Sequence, residues 1–255
     1  MLRSLTHRAR EVADEFDAEM THAYRAHQVS RDDVLANRFD TLGESVSRWQ
    51  ATAKFPQMVK AVYLAERAGD NYTLRAISRD RRSFDVPPLP VWPAHLEPVR
   101  RQLIGIAIGP DLKSSGNPQF FSIALMRALP DVPALVVPAS NQVALAGSAV
   151  AGSTTPSPAD TLIMMRAPDA AIVVDLDAGY LKATVLPAMA ARHFPDLGAG
   201  GYRMAVVAAS GDPLFVRDVP MGQTLSPDRA DVTQAFFSVR PDLIGDGPPG
   251  ANALV

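Results

Sequence analysis

Ala171-Ile172-Val173-Val174-Asp175-Leu176-Asp177-Ala178-Gly179-Tyr180-Leu181 decides the fold. Ile172, Val173 and Val174 are β-branched and follow one another without a polar break, which reads as a buried strand. Asp175 and Asp177 then end the strand and cap a helix, because a carboxylate at a helix start accepts bonds from free backbone N–H groups. The helix runs from Asp177 to about His193 and contains Pro187, which removes a backbone donor and predicts a kink. Beyond it, Tyr202 to Ala208 and Leu214 to Val216 form a strand pair turned on Ser210-Gly211-Asp212. The order is strand, helix, hairpin.

Upstream, Leu2, Leu5, Ala9, Val12, Phe16, Met20 and Ala23 recur every three or four residues, placing them on one face of a helix that ends near His27. Such a helix is roughly 40 Å long. Glu11, Asp14, Glu15, Asp17 and Glu19 are expected on its water-facing side. Ser30 with Asp33 makes a start like a capping box, and a second helix carries Leu35, Phe39, Leu42, Val46, Trp49 and Ala53 before Pro56 stops it. Met58 to Glu66 and Tyr72 to Ile77 flank Gly69-Asp70-Asn71 and read as a hairpin. Asp85 to Pro98 is crowded with prolines and is read as irregular, with a short helix within His95 to Leu103. Further strands are expected at Leu103 to Ile108, Phe120 to Met126, Leu135 to Val137 and Leu162 to Arg166. Long helices followed by hairpin-linked strands give an α+β class, an antiparallel sheet covered by helices, and regular βαβ alternation is absent.

Composition narrows the function. The 255 residues are 47% hydrophobic, enough to bury a sizeable core as one large domain or two small ones. Twenty-five basic and 27 acidic residues are mixed along the chain, so no field favours nucleic acid. Without cysteine there is no disulfide framework, thiolate metal site or cysteine nucleophile. Met1 to Arg8 lacks the apolar stretch of a secretory signal, and prolines interrupt the long uncharged stretch from Val132 to Ala159, so no membrane helix is expected.

The motifs of common chemistries are missing or explained more simply. His7, His22, His27, His95 and His193 give no HExxH spacing, and His22 and His27 read as exposed residues near a helix end. Gly147-Ser148 and Gly152-Ser153 lie in a small-residue loop, not on a nucleophile elbow. The phosphate-loop imitation from Gly147 to Thr154 has Ser153 where Lys belongs. Asp175 and Asp177 are two apart and so able to share a cation, but strand-end and cap duty is the simpler role, and no metal or cofactor is expected. Trp49, Tyr63, Trp92, Phe120, Phe121 and Arg166 are of types suited to a pocket for small organic acids or amines, with core packing the competing role for each aromatic.

Arg48-Trp49-Gln50-Ala51-Thr52-Ala53-Lys54-Phe55-Pro56 before the strand Val59 to Leu64, then Ala171 to Leu181, then Tyr202 to Val207, follow the element order of a known family. In that order, and in its long first helix, the chain resembles the Cache (PAS-like) extracytoplasmic sensor domains of bacterial membrane-bound sensor histidine kinases. The resemblance implies a helical stalk and second helix at 1–56, a PAS-like sensor domain at 57–240 and a Gly/Pro-rich tail or linker at 241–255. It further implies a periplasmic, non-catalytic input domain of a two-component receptor that reads a small ligand or a periplasmic protein. Membrane helices would lie outside the chain, and homodimerisation would use the N-terminal helix. Candidate ligand-binding residues are Tyr63, Trp92, Phe120, Arg166 and Asp175; the Arg-x-Trp-Tyr type cluster of the amino-acid-binding members is missing. Two alternatives stand beside this one: a soluble α+β enzyme using Asp175, Asp177 and His193, and a non-catalytic interaction module.

Overall fold

The computed structural model describes residues 2–78, 82–108, 132–139, 168–195, 203–207, 213–217 and 230–234. At its centre β1 (Val59–Ala68), β2 (Asn71–Ala76), β3 (Ala134–Pro138) and β4 (Ala170–Leu176) form an antiparallel sheet in the order β2-β1-β4-β3. The hairpin from β1 to β2 turns through Gly69 at φ +64, a left-handed conformation in which a Cβ would be strained. β4, paired on both edges and with all seven residues buried, is the strand on which the sheet is built. Helices with an antiparallel sheet make the fold α+β.

Alternation along β4 divides the interior in two. Ile172, Val174 and Leu176 face a core shared with α1 (Leu2–Ala26), α3 (Asp40–Thr52) and the helical run 178–193. Ala171 and Val173 face the opposite core, built with Trp92 and with Leu96, Val99 and Leu103, the last two on α4 (Glu97–Ile108). Val12, Phe16, Met20 and Ala23 of α1 are all buried in the first core, so the stripe faces the protein's own sheet. Leu5 and Ala9 are only partly buried.

Several expectations change for physical reasons. The second helix is two: α2 (Arg31–Leu35), capped by the Ser30 hydroxyl accepting from the Asp33 N–H at 3.0 Å, and α3. Asn37 breaks the run by taking φ 52, which lets buried Phe39 turn inward and meet Phe84 edge-on. Leu103 to Ile108 is helix, not strand: Leu96, Val99 and Leu103 are buried at helical spacing, with only the stretch from 103 onward resembling a strand. Asp17 and Glu19 are buried rather than water-facing, and His27 is wholly buried, its Nδ1 2.7 Å from the Ala23 carbonyl and its ring edge-on to Trp49. The strands expected at Phe120 to Met126 and Leu162 to Arg166, and the tail 241–255, lie outside the described residues.

The proline-rich segment has a structural role. Asp85 and Leu89 donate backbone N–H bonds to the Ala76 and Leu74 carbonyls, and the Trp92 indole N–H donates to the Tyr72 carbonyl at 2.9 Å. It therefore covers the free edge of β2 while offering few donors of its own, which blocks strand addition. In the run 178–193, Pro187 follows a π turn (Leu181–Val185) between α5 (Ala178–Tyr180) and α6 (Leu186–His193). The missing donor is absorbed by a wide turn, and the helix continues. β5 (Met204–Val207) and β6 (Pro213–Arg217) pair antiparallel as the expected hairpin, with its turn outside the described residues, and Met204, Val206 and Phe215 pack on the first core.

Candidate functional site

Asp175 is the only charged residue of β4 and is 1% exposed. It is the next-to-last residue of β4, on the same face as Ala171 and Val173, toward α4. A buried carboxylate needs a partner. That partner is His95, whose Nε2 lies 2.9 Å from the Asp175 Oδ2 while its side chain stays 46% exposed.

Local sequence explains how the imidazole arrives there. His95 occupies a 3₁₀ turn (Ala94–Leu96) entered from Pro93. Trp92 and Leu96, both buried, pin the turn to the sheet from either side, and His95 is held between them over Asp175. On the neighbouring strands Ala61 and Ala134 are the direct partners of Asp175, so the flanking side chains are small. The register shifts between Val59 and Ala61, a bulge of the kind that re-aims side chains at a strand end.

Tyr63 completes the cluster from β1, one alternation along from Ala61. Burial, and then the negative charge of Asp175, push its phenol above the ordinary tyrosine range, so it is a neutral donor at physiological pH. Among the described residues, neither the Tyr63 hydroxyl nor the His95 Nδ1 has a hydrogen-bond partner. A carboxylate, an imidazole it orients and a phenol thus lie on one sheet face, able to bind a polar group or to exchange a proton with it.

Of the residues expected to bind a ligand, Tyr63 and Asp175 come together here. Trp92 belongs to the same face, but it is 8% exposed with its N–H satisfied, so it packs and anchors. Phe120 and Arg166 lie outside the described residues. Asp177 does cap: its Oδ1 accepts from the Tyr180 N–H at 2.9 Å. His193 bonds Glu15 of α1, so Asp175, Asp177 and His193 serve three different partners. His95 escaped the sequence reading; its signal was a lone charged residue inside an apolar strand, which demands a polar partner from elsewhere.

An open groove of about 560 Å³, lined by residues including Arg31, Leu35, Glu66, Arg67 and Asp169, lies near the β1–β2 turn. Arg31 pairs with Asp169 and Glu66 with Arg75, which leaves the groove mixed in charge. Among the described residues no group of three or more His, Cys, Asp or Glu is arranged for a metal, and no helix is long and apolar enough to cross a membrane. Fold and site define an α+β protein with a carboxylate–imidazole pair on one face of its sheet. No family model, curated protein or solved structure matches the chain.

Proposed function

We propose that the chain is a signal-input domain of the PAS-like, Cache-like kind, reading a small polar ligand at Tyr63, His95 and Asp175 and relaying its state through α1. The observation that carries this reading is the division of labour across β4. Asp175 faces the half-exposed imidazole on one side, while Val174 and Leu176, its sequence neighbours, pack in the core shared with α1 on the other. A ligand that changes the bond between His95 and Asp175 acts on the strand against which α1 packs. It shifts the helix only so far as it binds the two arrangements unequally.

On this reading the domain works outside the cytoplasm in a membrane-bound two-component sensor histidine kinase, whose membrane helices and kinase elements lie elsewhere. Self-association falls to the first turns of α1, where Leu5 and Ala9 are partly exposed, because Val12 and Phe16 are taken by the core. Ligands complementary to an imidazole nitrogen and a phenol include small acids, amines and sugars.

A thermal-shift screen of those classes, run in parallel on the wild type, His95→Ala and Tyr63→Phe, tests the reading. A ligand at a hundred times its Kd stabilises by about 2.7 kcal/mol. One class should raise the wild-type midpoint saturably and lose its effect in His95→Ala. A shift of equal size in both proteins, or none from any class, counts against the site.

A further inference from the structure

We propose that a clamp on Glu15 ties α1 to the state of Asp175, with the helical run 178–193 as the rod between them. This inference rests on the ligand-reading role of His95 and Asp175 and names the part that transmits it. Two residues after Asp175, the Asp177 N–H donates to the Met58 carbonyl at 2.8 Å, and its carboxylate caps the run. The start of the rod is therefore bonded to the turn that leads into β1. Sixteen residues later, roughly 24 Å along a helix, its last turn carries Arg192 and His193.

Both grip the same carboxylate. Arg192 Nη1 bonds the Glu15 Oε1, and His193 Nε2 lies 2.7 Å from Oε2. Lys54, just beyond α3, donates to Oε1 at 3.0 Å. Glu11 stands 3.7 Å from the other nitrogen of His193, and Glu19 stands 3.9 Å from Lys54. Glu15 has only 12% of its side chain exposed, and Arg192 and His193 also sit at the helix C-terminus, where cations are favoured. Three side chains, two from α6 and one from just beyond α3, converge on one carboxylate of α1.

The rod contains a π turn, Leu181–Val185. A π turn holds one residue more than an α turn, so its loss rotates everything beyond by about 100°. Arg192 and His193 cannot keep Glu15 through such a rotation, whereas small shifts of β4 leave the clamp closed. Pro187, which lacks the N–H that a regular α turn would use, follows directly on this π turn.

A double-mutant cycle tests the connection without any ligand. The unfolding constants of His95→Ala, Glu15→Gln and the double variant are measured by urea denaturation, with hydrogen exchange of 11–19 and 186–193 as a second readout. Coupling predicts a double variant that departs from the product of the singles by more than about twofold, the limit for independent distant sites. It also predicts that His95→Ala speeds exchange in 11–19 several-fold only while Glu15 is intact. Effects that multiply within about twofold, with exchange in 11–19 indifferent to His95, overturn the clamp. A ligand lost in His95→Ala alongside a multiplicative cycle removes the clamp and leaves the site; a coupled cycle with no ligand from the screen removes the site reading and leaves the rod.

Discussion

His95→Ala should destabilise the protein by about 1–2 kcal/mol, because it strips the partner from a buried carboxylate. Asp175 is 1% exposed and bonded to Nε2 of His95 at 2.9 Å. A hydrogen bond to a charged group contributes about 1.5–3 kcal/mol, and breaking a fully buried ion pair costs about 3–5. Here the upper figure does not apply. The imidazole is 46% exposed, so deleting it opens a path by which water reaches the carboxylate and recovers part of the loss. In a chain of this size the result is a midpoint about 2–8 °C lower. Asp175→Asn keeps the shape and a bonding group while removing the charge, and should cost about 1 kcal/mol or less. In that background the further change His95→Ala should cost less than in the wild type. Urea denaturation of the four proteins at neutral pH measures all of this. A His95→Ala loss below about 0.3 kcal/mol, or an equal loss in both backgrounds, would refute the dependence of Asp175 on His95.

Other expectations concern the core, the cap and the clamp. Phe16, 2% exposed beneath the sheet, should cost about 3–5 kcal/mol on replacement by Ala, read by the urea midpoint; a loss near zero would mean that α1 does not pack there. Asp177→Ala should cost about 1 kcal/mol and speed hydrogen exchange at the Tyr180 amide, while Asp177→Ser restores both. At Glu15 burial raises the carboxyl pKa, but bonds from His193 and Lys54 and the charges of Arg192 and Lys54 outweigh it, leaving it below the ordinary glutamate value. A depressed carboxyl adds stability above its unfolded pKa, about 4.3, and loses it as pH falls through the lower folded value. Glu15→Gln should therefore lower stability at neutral pH and flatten the acid limb of a stability–pH curve; parallel curves for the two proteins would show that Glu15 contributes nothing through its charge.

Residues whose neighbours are local in sequence were the readable ones. The α1 stripe, the Ser30 start, the Gly69 turn, β4 and the Asp177 cap each depend on a few adjacent positions, and each is found where expected. What misled was either ambiguity of period or distance along the chain. Leu103 to Ile108 alone has the composition of a strand; its helical register is visible only together with Leu96 and Val99. The Asp175 pair joins residues 80 apart and the Glu15 clamp residues 178 apart, and no spacing rule connects them. Asp175 stands next to last in β4, in keeping with a strand-end pair of aspartates, but no adjacent residue points to its imidazole partner. The acidic residues of α1 that turn out buried are covered by partners far along the chain, and their own spacing carries no sign of it.

The most direct test of the site is the imidazole nitrogen spectrum of the ¹⁵N-labelled chain, with His95 assigned by its loss in His95→Ala, recorded against small acids, amines and sugars in turn. The ligand reading predicts that one class moves the His95 signals saturably while those of buried His27 stay in place. Signals of His95 that no class moves, or that move only together with those of exposed His7 and His22, would contradict it.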